Sequence, residues 1–210
     1  MVVLTNQARA KRAHSRVATF LGLFLLLHFA THFAALQSIA AQDAVMQFGR
    51  AAYRIPVLEI ALFVTFAVQV VLGIALLRGI HRRKRKDGWH WAQLLSGAYL
   101  AYFIIMHSGA ALLTRFAAGI DTNFFWPAGT LTLTPLKYVF APYYTLAVTA
   151  LATHLIAALH FRAPRAWHGL ALAIGPIAGI AIVIAYSGAL YAFQLPQEYL
   201  AFFENYAPID

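Results

Sequence analysis

The chain has 210 residues, of which 61% are hydrophobic and 11% charged, against about 25% charged in soluble domains, so a sizeable separate soluble domain is excluded. The formal net charge of +9 gathers in short segments between apolar runs, which reads as membrane topology and not as a phosphate-binding face, and excludes nucleic acid as a partner. The absence of cysteine excludes disulfides, thiolate-held iron–sulfur clusters and thiolate zinc sites, and leaves nine histidines as the soft metal ligands.

A membrane span takes about 20 mostly apolar residues. Five segments qualify: 17–36, 56–77, 91–113, 139–158 and 169–193. The expected fold is an all-α integral membrane protein, a single transmembrane domain over 1–210 built as a five-helix bundle. The first span holds "FLLLHFATHFAAL", with His28 and His32 four residues apart. The following "QSIAAQ" resembles a signal-peptide cleavage site, but the apolar region is too long for one, so the span reads as retained. The second span opens with Glu59 and closes before "HRRKRKDG", which reads as a basic turn anchoring against anionic lipid, with a docking surface as the alternative.

The third span carries His107 and the fourth His154. Between them "GIDTNFFWPAGTLTLTP" reads as an interfacial loop, with Phe124, Phe125 and Trp126 at headgroup level. In the last span Gly175 and Gly179 form a small-xxx-small pair beside Pro176, which predicts helix packing with a mild kink. Twelve Lys and Arg fall on the side of the N-terminus and four on the other. By the positive-inside rule the N-terminus is expected in the cytoplasm and the C-terminus outside, as in a multi-pass protein of a bacterial-type inner membrane.

Ionisable side chains inside spans are costly and point to function. Five lie within or beside the spans: His28, His32, Glu59, His107 and His154. The remaining histidines, His14, His81, His90, His160 and His168, fall at span ends or in loops and read as interfacial. Counting about 1.5 Å per helical residue from the basic side places His28 at about 16 Å, His32 at about 22 Å, His107 at about 24 Å and His154 at about 6–10 Å. Two histidines on different helices at similar depth suit bis-imidazole ligation of haem iron, whereas a zinc site calls for three or four ligands together. Gly73 and Gly97 offer places where a flat ring can approach the backbone. The competing reading is that each histidine bonds a neighbouring carbonyl or hydroxyl in a haem-free protein, such as a small transporter or an assembly factor. The lack of an inverted repeat counts against transport.

Five short pieces, taken in order, carry a family resemblance: "KRAHS", "FLLLH", "LEI", "SGAYLAYFIIMH" and "ATHLIAALHF". Together they resemble the cytochrome b membrane subunit of succinate:quinone oxidoreductases (succinate dehydrogenase and fumarate reductase), in its one-polypeptide, five-helix, two-haem class. The likeness covers the first four spans; the fifth matches in length and topology only. It implies haem b as cofactor, quinone as substrate, and a cytoplasmic flavoprotein and iron–sulfur partner. His28 and His107 match the axial ligands of the outer, distal haem, while depth alone pairs His107 with His32, which stays as the alternative. His154 matches a ligand of the proximal haem. Its partner is expected in the second span, where Gln69 (or Val70) stands instead of histidine, and His81 lies too far toward the basic side to replace it. On that reading the second haem is absent, altered or otherwise held.

The "LEI" match implies that Glu59 takes protons as quinol is oxidised; the alternative is a bond to an outer donor such as Arg54. "KRAHS" sets His14 at the interface, for a haem propionate or partner contact, or as plain anchor. The expected function is transmembrane electron transfer between quinone and a partner redox protein, by an electron-transfer subunit and not a self-sufficient catalyst. A stand-alone mono-haem quinone-reactive cytochrome is the nearest variant, and homo-oligomers are compatible with it.

Overall fold

The computed structural model describes residues 2–82 and 84–206, with side chains from residue 7 onward. Arg83, one of the twelve basic residues counted above, lies outside the described residues. Helices account for all the regular structure among these residues, and no strand occurs.

Five helical segments are long and apolar enough to cross a membrane: α1 (Val2–Ala34, apolar from Gln7), α3 (Pro56–His81), α4 (Gly88–Phe116), α6 (Leu136–His160) and the segment His168–Tyr186, made of α7 (His168–Ala171) and α8 (Ile174–Tyr186). Three further helices, α2 (Ile39–Tyr53), α5 (Phe125–Thr132) and α9 (Gln197–Glu204), cap one end of the bundle. The opposite end carries most of the Lys and Arg and is called the basic end below.

The span boundaries shift for local reasons. α1 starts about four turns before residue 17 because "NQARAKRA" is rich in Ala, Arg, Lys and Gln, all strong helix formers. α4 starts at Gly88 because the Asp87 carboxylate accepts the backbone N–H of His90 at 2.9 Å. The last span stops at Tyr186, seven residues short of 193, since Gly188 adopts φ +79°, a left-handed conformation that ends helices. Its mild kink is a break between α7 and α8. Pro176 has no N–H and its ring crowds the carbonyl four residues back, at Leu172, where the helix loosens into a turn.

The spans pack in a closed circuit: α1 against α3, α3 against α4, α4 against α6, α6 against α8, and α8 back against α1. Lipid supplies no hydrophobic drive between helices, so close backbone approach has to hold them. The α6–α8 contact shows how. A Cβ on Gly175 would lie 2.8 Å from Thr149 Cα, and one on Gly179 would lie 2.9 Å from Thr145 Cα and its carbonyl oxygen. The small-xxx-small pair therefore works as a packing ridge.

The capping end is denser than a loop. The linker after the first span folds as α2, started by Ser38, whose hydroxyl accepts the Ala41 N–H at 3.1 Å. Gln42, Met46, Gly49 and Arg50 form its buried face, at helical spacing. Phe124, expected among headgroups, is instead buried in protein, 1% exposed, against Tyr186, Tyr191 and Phe193. Tyr191 ties this cluster to α1 by donating to the Ala35 carbonyl at 2.5 Å. Tyr199, fully buried, holds its hydroxyl 2.8 Å from both the Asp121 carbonyl and Asn123 Oδ1. Burial, with the Asp121 charge behind it, pushes this phenol up to about 12, so it stays a donor.

Asp121 bonds Arg50 at 2.9 Å and faces Arg54 at 3.5 Å. Partial burial works to raise its carboxyl, but the Arg50 bond and the two positive charges outweigh that and hold it below the ordinary carboxylate value.

Two outcomes check this architecture. Gly179→Val drives a side chain into fixed backbone and is expected to cost about 1–3 kcal/mol, read as a lower thermal midpoint in detergent. Gly22→Ala, where nothing lies within 4 Å, should melt as the parent does. Because the folded Asp121 carboxyl titrates below its unfolded value of about 3.9, its contribution is full at neutral pH. That contribution fades as the pH falls below about 4. Asp121 is 43% exposed, so Asp121→Asn should remove about 1 kcal/mol or less at neutral pH and flatten the acid limb of stability, measured as unfolding midpoints across pH.

Candidate functional site

Two groups of histidines meet across the interior of the bundle, one above the other along α1. In each, α1 faces a helix that is not its neighbour in the packing circuit, so side chains and not backbone fill the gap.

The first group lies toward the capping end. The His28 and His107 rings face each other with centroids 6.0 Å apart and planes at 69°. His28 stacks on Phe24 at 5.4 Å and His107 on Phe103 at 5.0 Å, so an aromatic ring on its own helix backs each imidazole. His32 does not face His107 in this way. Its Nε2 lies 3.3 Å from His28 Nε2, and its Nδ1 lies 2.8 Å from the Tyr186 hydroxyl. A chain Tyr186–His32–His28 thus runs from α8 into α1 and orients the ring that meets His107. Trp126, from α5, closes this group at 6.0 Å from His107.

The second group lies toward the basic end and includes His14. His14 points into the bundle, its ring centroid 6.3 Å from that of His154 on α6, with planes at 76°. Gln69, which stands where the resemblance expects a histidine, places its amide nitrogen 3.3 Å from His14 Nε2. Gln93 of α4 sets its amide nitrogen 3.1 and 3.0 Å from the two ring nitrogens of His154, and the Ser96 hydroxyl lies 3.3 Å from Nδ1. A glycine lies beside each ring, tightly at Gly97 and at ordinary contact distance at Gly73. A Cβ on Gly97 would lie 3.0 Å from His154 Cε1, and one on Gly73 would lie 3.4 Å from His14 Cε1. Three buried polar atoms here have no partner: His14 Nδ1, Gln69 Oε1 and Gln93 Oε1.

Glu59 pairs with Arg115 of α4 through both guanidinium nitrogens and not with Arg54, which instead reaches Thr122 and Asp121. The pair is well buried, at 16% and 19% exposure. Val70 is buried on α3, and His81 lies exposed at the basic end. His168 is 3% exposed, its Nδ1 lying 3.2 Å from His160 Nδ1, while His160 stacks on Trp89 at 4.0 Å. These two pack with Trp89 at the basic end of the bundle.

Haem is the group the resemblance implies, so the donor sets have to be tested against it. Two metal–nitrogen bonds of about 2 Å and two imidazole radii of about 1.1 Å, set by ring bonds near 1.33 Å, separate trans ligand centroids by about 6 Å. The 6.0 Å spacing of His28 and His107 fits that span. No cluster of three or more His, Asp or Glu arranged to hold a bare metal ion occurs among the described residues. Histidines that ligate metal hold their other nitrogen to a second partner, and His28 has such a partner in His32.

Sequence reasoning placed neither Tyr186 nor Gln93 at these sites. Both are polar groups inside otherwise apolar spans, which is the signal that could have found them. Compared with models of known protein families, with curated proteins and with solved structures, the chain matches none.

Proposed function

We propose that this chain is a b-type membrane cytochrome that exchanges electrons with quinone, of the kind its resemblance to the succinate dehydrogenase and fumarate reductase anchor implies. The observation that carries the reading is the His28–His107 pair, supplied by two non-adjacent spans with ring centroids 6.0 Å apart, and these two imidazoles would hold the haem. It favours His28 over His32 as the ligand, because His32 is engaged with Tyr186 and stands behind His28. The excess of Lys and Arg at the basic end supports a cytoplasmic N-terminus in a bacterial-type inner membrane.

Haem, if bound by His28 and His107, would supply one-electron transfer. The chain's residues do the rest. Phe24 and Phe103 back the ligand rings, and the Tyr186–His32 bond holds His28 against rotation. Glu59 lies at the capping end of α3 and serves as the proton-handling group for quinol. Its carboxylate is committed to Arg115, so it accepts a proton only as that pair opens. The basic end, with its exposed cations, is the face for a cytoplasmic flavoprotein and iron–sulfur partner, and its positive charge suits an acidic docking surface.

The test is spectroscopic. The detergent-purified chain is expected to show a reducible low-spin b-type spectrum, and His107→Ala should abolish the component held by His28 and His107. A colourless protein, or a spectrum unchanged by His107→Ala, rejects the reading. Glu59→Gln is expected to slow quinol-driven reduction by about 10²-fold, within the usual range for a proton-transfer group, while dithionite reduction stays unchanged. Quinol reduction at the parent rate would remove Glu59 from the mechanism.

A further inference from the structure

The carboxylates of this chain avoid the basic end. Of seven Asp and Glu, Asp87 alone lies there among the described residues, and it is bonded to His90 at 2.8 Å. Residues 1–42 and 160–197, which include the flank where α1 meets the end of α6, contain no Asp or Glu. An open groove of about 430 Å³ runs along that flank, with Lys11, Arg12, Arg16 and Arg162 on it and the Ser15 and Thr19 hydroxyls between them. Its size falls within the range of about 300–1,000 Å³ that holds a small-molecule group. We propose that this groove is a binding site for the headgroup of one anionic phospholipid, whose acyl chains lie along α1 and α6. The inference stands apart from the cytochrome reading and needs no haem.

Charge selects the ligand. All four cations are exposed, and none forms an ion pair among the described residues. Arg12 and Arg16 are like charges four apart on one helix, an arrangement that costs stability until an anion sits between them. A phosphodiester supplies that anion and accepts charge-assisted hydrogen bonds from guanidinium groups. The ammonium of a zwitterionic headgroup would instead enter a groove that offers it no carboxylate. Headgroups whose phosphate stands without an amine are therefore preferred. Ser15 fixes the place: its hydroxyl accepts from Arg162 at 2.9 Å, tying the end of α6 to α1, and keeps its own proton to donate to a phosphate oxygen.

Apolar tracks begin directly beneath the cations. On α1, Thr19, Leu23 and Leu26 continue the face of Arg12 and Ser15 at steps of three and four residues, and all three are exposed. A Cβ on Gly22, beside them, would meet nothing within 4 Å, so no other helix covers this face. On α6, Leu155 and Leu159 are exposed and lie two turns and one turn before Arg162 on the same face. α1 and α6 are not neighbours in the packing circuit, since α8 stands between them. A lipid with its phosphate on the cations thus has one apolar track on each side for its chains. Lys84 and Arg85, in the turn after α3, are exposed cations of the same end that line neither this groove nor the one between α3 and α4.

Native mass spectrometry of the full-length protein tests the site, after lipid is stripped in detergent and phosphatidylglycerol or phosphatidylethanolamine of the same acyl chains is titrated back. One phosphatidylglycerol per chain is expected to bind ahead of further lipids, and phosphatidylethanolamine should show no such first step. Arg12→Gln with Arg16→Gln should weaken that first phosphatidylglycerol by about 30-fold, the weight of two surface cations toward an anionic lipid. Lys84→Gln with Arg85→Gln removes the same charge elsewhere and should leave it unchanged. Equal losses in the two double variants would reduce the effect to diffuse surface charge and overturn the proposal, as would equal binding of the two lipids. Inorganic phosphate that saturates the groove and excludes the lipid would make it a free-anion site. A groove variant that changes the number of chains per particle but not the bound lipid would give the face to a second copy. Either result overturns the lipid assignment. Should the groove variant fail to accumulate, the parent protein still decides by its choice between the two lipids.

Discussion

A neutral imidazole inside a membrane bundle brings two polar nitrogens into a medium with no water to satisfy them. Either another side chain or a metal has to take each one, and the architecture of this protein follows from how it meets that demand. His28 is met by His32, His32 by Tyr186, His14 by Gln69 and His154 by Gln93 and Ser96. These partners come from four of the helices, α1, α3, α4 and α8, so the polar contacts stitch together spans that hydrocarbon alone would leave without a reason to associate. The two ring pairs that result, at 6.0 and 6.3 Å, lie one above the other along α1, about 21 Å apart by helical rise.

Close packing serves that arrangement from outside. Glycines on α8 bring its backbone against α6, and Gly97 on α4 lets the His154 ring approach where a Cβ would lie 3.0 Å away. The same residue type thus does two jobs, one between helices and one beside rings, and in both it works by lacking a Cβ. At the capping end, α2, α5 and α9 are drawn together by Asp121, Arg50 and Tyr199. Phe124 and Tyr186, both fully buried, connect this cap to the His32 end of the histidine chain.

The two ends differ in chemistry. The basic end carries two cation-lined surface grooves, one along α1 with Arg162 and one between α3 and α4; the capping end is closed over Trp126, His107 and His28, with the Glu59–Arg115 pair at its margin.

Much of the frame was legible before any coordinates. The five spans follow from runs of about 20 apolar residues, and the Gly175–Gly179 ridge from its four-residue spacing, because both depend on local composition. His28, His107 and His154 were recognisable as candidates since an ionisable group in an apolar run is costly wherever its helix packs. The pairing was not legible. His14 lies before the first span as hydropathy draws it, because four nearby cations mask a helix that continues to Val2. Its spacing of 14 residues from His28 and 18 from His32, about four and five turns at 3.6 residues each, sets all three on one face of α1, and that signal was present in the chain. The partners of that face were not. Gln69, Gln93, Tyr186 and Arg115 lie between 55 and 154 residues from the groups they hold. The sequence by itself determined which residues are buried in spans and what chemistry they carry. Only the tertiary structure decided which of them meet, because helix rotation and the order of packing around the bundle are set by contacts between spans and leave no trace in the period of any one span.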